Sequence, residues 1–170
     1  MTIFSRNWYR LLLIGLLWPF STLAHELREP EGAVILVVGG NISHTNVGDE
    51  AHFDREMLEA LPWHSIETST PWTDGISHYR GPLARALLAA LGAQGKRVTV
   101  TALNNFMAEI PVSDFHRHPV LLAMEQDGER MAIRDQGPIF VLYPFDQDPS
   151  LHNETIRFRS VWQVQRMMVE

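Results

Sequence analysis

The chain has no cysteine among its 170 residues. That absence removes thiolate nucleophiles, cysteine-ligated zinc, iron–sulfur centres and any disulfide framework from consideration. A basic run is also missing: 14 Lys and Arg stand against 20 Asp and Glu, a formal net charge of −6. Binding a phosphate backbone takes a basic patch or stripe, so no nucleic-acid partner is expected. No low-complexity tract or internal repeat is visible. No G-x-G-x-x-G or Walker pattern follows Gly39-Gly40-Asn41, and no G-x-S-x-G occurs, so dinucleotide, P-loop and nucleophile-elbow chemistries lack their motifs. No apolar stretch has the ~20 residues needed to span a bilayer.

The amino-terminal 24 residues differ in character from the rest. Arg6 and Arg10 precede the apolar run 11–17, which continues through Trp18-Pro19-Phe20 to Ser21-Thr22-Leu23-Ala24. A basic start, a short apolar core and a small-residue exit form the pattern of a secretory signal peptide, with 25–170 as one mature domain. The expectation is therefore cleavage and export to the periplasm, with membrane contact only during export; the alternative is an uncleaved segment kept as a membrane anchor. Removing the segment takes two basic and no acidic residues, so the remainder is more acidic than the whole. A cysteine-free exported domain must be held by its apolar core.

Along that domain, residues 33–38 are a continuous apolar run and read as a buried strand. Asp54 is placed to cap a short helix over 55–61, with Phe53 and Leu58 as a hydrophobic staple and Pro62 as the stop. Residues 64–70 and 76–80 read as strands. Pro82 suits the first turn of a helix in which Leu83, Leu87, Leu88 and Leu91 share a face, with Gly92 as its end. Residues 97–103 alternate as a half-buried strand; Asn104-Asn105 is a turn and 106–110 a return strand. Ser113 is placed to cap one helical turn. Asp127-Gly128 is a hairpin turn between 120–125 and 130–133. Gly137-Pro138 opens a buried strand over 139–143, residues 145–154 form a polar loop, and 161–169 read as an edge or closing strand. Many short strands with two modest helices, not in βαβ alternation, give an α+β fold on a mixed or antiparallel sheet.

The order of these pieces resembles the molybdopterin-binding oxidoreductase domain, the catalytic core of the sulfite oxidase family. The residues that carry the likeness are the turn closing on Pro71-Trp72, then Tyr79-Arg80-Gly81-Pro82-Leu83-Ala84-Arg85-Ala86-Leu87-Leu88. Leu121-Leu122-Ala123-Met124, Asp127-Gly128-Glu129-Arg130-Met131, Gly137-Pro138-Ile139-Phe140-Val141-Leu142-Tyr143-Pro144 and Phe158-Arg159-Ser160-Val161 follow in the same order. The resemblance implies an α+β fold on a mixed sheet and a molybdenum–pterin cofactor. It also implies an oxidoreductase site in a pocket bounded by Thr68, Ser69, Thr70, Trp72, His78, Arg159 and Ser160. Ser69 or Thr70 then stands where the family has its metal-binding cysteine, and Arg159 would meet a phosphate.

Three departures point to a second reading. Thr68-Ser69-Thr70 offers hydroxyls, harder ligands of far higher pKa than a thiol. Phe140 stands where the family has a phosphate-binding arginine, and Trp162 near its second lysine. The alternative is a cofactor-free, periplasmic sensory module that uses the same cavity for a small ligand or a partner protein.

Other candidates are plainer. His116 and His118, if on a strand, point the same way and could share a metal, but no third ligand is in sight and a solvated pair is the simpler reading. His25 would become the mature amino terminus, a place where amine and ring together can chelate copper. Asp146, Asp148 and Glu154 form an acidic loop without the spacing of a calcium loop. Trp63, Trp72 and Trp162 suit packing, with Trp72 the one expected at the pocket.

Overall fold

The computed structural model describes residues 27–170. The segment read as a signal peptide, together with His25, lies outside the described residues. The chain order is β1 (Val34–Gly40), β2 (Ala51–Asp54), α1 (Arg55–Glu59), β3 (Trp63–Ser69), β4 (Ile76–Pro82) and α2 (Ala84–Ala90). Next come β5 (Arg97–Ala102), β6 (Met107–Pro111), α3 (Val112–Arg117), β7 (Leu121–Ala123), β8 (Glu125–Gln126) and β9 (Glu129–Arg130). β10 (Phe140–Leu142), α4 (Glu154–Arg159) and β11 (Val164–Val169) complete it. The class is α+β, with a mixed sheet and short helices.

The larger sheet has the order β2-β1-β11-β5-β6. It is mixed because β11 runs parallel to β1 and antiparallel to β5. β3, β4, β8 and β9 form a second, antiparallel sheet, and β7 pairs with β10 in a ribbon. Gly81 is required where these layers meet, because a Cβ there would run into the Leu122 carbonyl. The ribbon is tied to the larger sheet by backbone bonds from Val141 N to Val161 O (2.8 Å) and from Val164 N to Ile139 O (3.0 Å). The buried apolar side chains of all three layers form one contiguous core, from Leu36 and Val38 to Met167 and Val169.

Several elements form for the local reasons visible in their residues. Asp54 caps α1, accepting from Met57 N at 2.9 Å, and Phe53 and Leu58 are both buried beside it. Leu87, Leu88 and Leu91 are buried on one face of α2. Its end is a Schellman motif: Gly92 has φ +58, its N–H bonds to Ala89 O, and Ala93 N bonds to Leu88 O. Asp127 and Gly128 both take positive φ in the tight turn between β8 and β9.

The differences from the sequence expectations are tertiary in origin. β11 is the central strand of its sheet, not an edge. Its alternation is disguised by a bulge between Val164 and Arg166, so Val164, Met167 and Val169 are buried while Met168 is only half-buried. Pro82 closes β4 instead of opening α2, whose amino-terminal cap is Leu83 without a side-chain bond. Ser113 lies inside α3, which starts after Pro111 without a side-chain cap. His116 lies in that helix and His118 just past its end, so the strand geometry needed for a shared metal does not arise. The hairpin arms around Asp127-Gly128 are two residues each, and Ile133 begins a 3-10 turn. The sequence reading ends a polar loop at Glu154 and assigns no element to 155–160, where α4 forms; Asn153 caps it by accepting from Ile156 N at 3.0 Å.

Asp54 does more than cap. Its carboxylate also accepts from Glu31 N (2.8 Å) and Gly32 N (2.9 Å) and faces Arg28 at 3.7 Å. The Gly32 and Met57 amides, first of these, hold its pKa below the ordinary value. A depressed pKa means the stabilisation is complete above the unfolded-state value, about 3.9, and disappears as pH falls through the folded value. Asp54→Ala is expected to cost about 2 kcal/mol at pH 7 and much less near pH 2, as read by urea unfolding at the two pH values.

Candidate functional site

β3 ends in a hydroxyl-rich turn that is held by side chains. Thr68 is fully buried; its Oγ1 donates to Ser69 O (2.9 Å) and accepts from Asp146 N (3.1 Å). Ser69 donates twice to the Asp146 carboxylate, from N at 2.6 Å and from Oγ at 2.7 Å. These two bonds keep the Asp146 carboxyl below the usual carboxylate range. Thr70 Oγ1 pairs with Thr73 Oγ1 at 2.8 Å and accepts from Trp72 N at 3.3 Å. Each hydroxyl of the trio thus has a partner within the fold.

The turn sets Trp72 edge-on against three aromatic rings: Phe140 at 6.1 Å, Phe145 at 6.2 Å and Trp162 at 5.2 Å between centroids. Edge-to-face contacts of this kind are favourable beyond their buried area. Tyr79 packs on the far side of Phe140, fully buried. Among the described residues its hydroxyl finds no hydrogen-bond partner, although Thr73, Ser77 and Thr70 stand around it. Burial therefore pushes its pKa up, and those hydroxyls only soften the rise.

A cavity of about 480 Å³ opens on the outer side of Trp72. The β5–β6 hairpin supplies Asn104 and Phe106, the helix α4 supplies Glu154, Arg157 and Phe158, and the segment leading into β11 supplies Ser160, Val161 and Trp162. Phe106 and Phe158 form a second aromatic pair, 6.0 Å apart, and both are exposed at the mouth. The cavity is within the size range of small-molecule sites, with mainly apolar walls and a few polar groups.

Of the residues named from the sequence, Trp72 and Ser160 meet in this cavity, from distant parts of the chain. Thr68, Ser69, Thr70, His78 and Arg159 are not part of its wall. His78 lies on β4 opposite Glu67, with its amide donating to Asp127 Oδ1 at 2.8 Å. Arg159 donates to Asp114 Oδ2 at 2.9 Å, and the Tyr143 hydroxyl donates to the same oxygen at 2.9 Å. Burial, then the Asp114 charge, drives the Tyr143 pKa up. The Ser160 hydroxyl is spent on Ile156 O at 2.9 Å.

The acidic loop divides its members among separate tasks. Asp146 holds Ser69, Asp148 caps the turn at Ser150, and Glu154 faces the cavity. Among the described residues no group of three or more His, Asp or Glu is gathered to hold a metal. Sequence reasoning missed Arg157, Asn104 and Phe106 as site residues and named Glu154 only as part of an acidic loop. The only signal was Asn153, a helix cap that would have put Glu154 and Arg157 one turn apart.

No known protein-family model matches the chain, and no curated protein matches it in sequence.

A molybdenum–pterin group, the cofactor implied by the sequence resemblance, does not fit the residues present. The hydroxyls of Thr68, Ser69 and Thr70 are bonded within the fold and lie off the cavity wall, and no soft ligand replaces them. Arg159, the expected phosphate contact, is held by a buried carboxylate. Cutting that pair leaves Asp114 buried with one donor fewer, so Arg159→Gln is expected to cost about 2 kcal/mol. Asp146→Ala, which frees the Trp72 turn, is expected to cost about 1 kcal/mol. Thermal unfolding of both variants checks these values, and the first should also alter near-ultraviolet circular dichroism from Tyr143.

Proposed function

We propose that this chain is an exported, periplasmic small-ligand-binding module, built on a sulfite-oxidase-like α+β domain and working without molybdenum. The observation that carries the reading is the aromatic cavity between Trp72, Trp162, Phe106 and Phe158, where two residues picked from the sequence converge. The finer fold assignment rests on the order of motifs from Pro71-Trp72 to Phe158-Arg159-Ser160-Val161. Export rests on the residues of the 1–24 segment. The commitment of the turn hydroxyls and of Arg159 to internal bonds favours binding over oxidoreduction. A pterin, being planar and aromatic, stays among the ligands to be tried, as does a partner protein reached through the exposed mouth.

The test is to purify the protein from the periplasm of molybdenum-replete cells and assay it for molybdenum, pterin and any other co-purified small molecule. Tryptophan fluorescence is then titrated with the compounds found. A saturable change is expected, weakened about tenfold by Phe158→Ala, whose exposed ring can be removed without opening the core. Stoichiometric molybdenum would overturn the cofactor-free reading. A folded protein with no co-purified compound and no fluorescence response would overturn ligand binding.

A further inference from the structure

The charged groups at the cavity restrict what can enter it. Glu154 and Arg157 lie one turn apart on α4, and both line the cavity. Neither makes an ion pair with another described residue, nor do they pair with each other. Every other arginine of the same helix and of the strand that follows it has a carboxylate: Arg159 has Asp114 and Arg166 has Glu50. Across the cavity, Asn104 Oδ1 is occupied by Phe106 N at 3.0 Å, which leaves its amide N–H groups as donors.

We infer that the cavity takes a small zwitterion, with its ammonium-type cation set against Glu154 and the aromatic walls and its carboxylate set against Arg157 and the Asn104 amide. The inference rests on the reading of the cavity as a ligand site. A simple anion would meet Glu154 as a like charge, and a simple cation would meet Arg157 in the same way. A neutral apolar molecule would use the walls and leave both charges without a partner. Only a ligand with both signs uses every polar group at the rim. Side chains three positions apart on a helix stand about 5–6 Å apart at Cβ, a span suited to a compact amino acid or betaine. Trp72, Trp162, Phe106 and Phe158 line the cavity, and aromatic rings attract ammonium groups, tertiary and quaternary ones included.

The experiment is isothermal titration of the full mature protein with matched probes. Glycine betaine and phenylalanine are the zwitterions; the first has a methylated cation without N–H groups, the second a primary ammonium and a ring. Choline carries the cation alone and 3-phenylpropanoate the anion alone. At least one zwitterion is expected to bind about tenfold or more tightly than both single-charge probes, and which one binds identifies the kind of cation. Arg157→Gln is expected to abolish the preference over choline, and Glu154→Gln the preference over 3-phenylpropanoate; both positions are exposed, so the fold is retained. Equal binding of a single-charge probe, or unchanged affinities in both variants, overturns the inference. If the zwitterions fail while a co-purified compound or a pterin binds in a manner weakened by Phe158→Ala, this inference falls and the ligand site stands. If nothing binds, both fall.

Discussion

The parallel pairing of β11 with β1 is the constraint on which the rest of the structure depends. The last strand of the chain has to return beside the first, with Val37 opposite Arg166 and Gly40 opposite Val169. β5 then pairs antiparallel on its other side and brings β6 with it. A strand in that position is paired along both edges; its inward face carries the buried Val164, Met167 and Val169, while Gln165, Arg166 and Met168 stay half-buried. The bulge at its start matters as much as the pairing. Just ahead of it Gln163 takes a positive φ, and backbone bonds from Val141 N to Val161 O and from Val164 N to Ile139 O hold this segment against the β7–β10 ribbon. Trp162 is thereby delivered to Trp72, and the cavity acquires its back wall.

Two carboxylates then hold the elements that frame the cavity. Asp146 fastens the end of β3 through both the amide and the hydroxyl of Ser69, and so determines where the Trp72 turn lies. Asp114 fastens the end of α4 through Arg159 and ties it to Tyr143. Asp114 is buried, where hydrogen bonds are stronger and a missing partner is expensive, whereas Asp146 lies at the surface and holds its turn through two charge-assisted bonds. This explains why residues with the look of ligand contacts turn out to be structural. A serine, a threonine pair and an arginine near a pocket have the same composition whether they face inward or outward. Here the fold consumes them, and the groups left for a ligand are aromatic rings and one pair of opposite charges.

Much of the local structure was legible from the residues. Asp54 before an amphipathic turn, the leucine stripe ending at Gly92, the alternation of Val98, Val100 and Ala102, and Asp127-Gly128 each specify their element through contacts a few residues apart. Elements whose signals lie elsewhere in the chain were misread. Pro82 is as suitable for a helix start as for a strand end, and pairing with Trp63 decided for the strand. His116 and His118 changed their relation when α3 formed against α2 and β6. α4 is six residues long, too short to be stable from propensity alone, and exists because Ile156 is buried and Arg159 is held.

By itself, then, the sequence determined the α+β class, most of the short elements, the exclusion of thiol chemistry and the expectation of export. These follow from composition and from interactions within about one turn or one hairpin, which a linear reading can see. The tertiary structure alone decided that β11 is central, that Thr68, Ser69, Thr70 and Arg159 are bonded within the fold, and that Glu154 and Arg157, without an ion pair among the described residues, line a cavity with four aromatic rings. Those facts depend on which distant segments become neighbours, and on which of them reaches a polar group first. That competition is settled by packing and desolvation over the whole core, and no local pattern records its outcome.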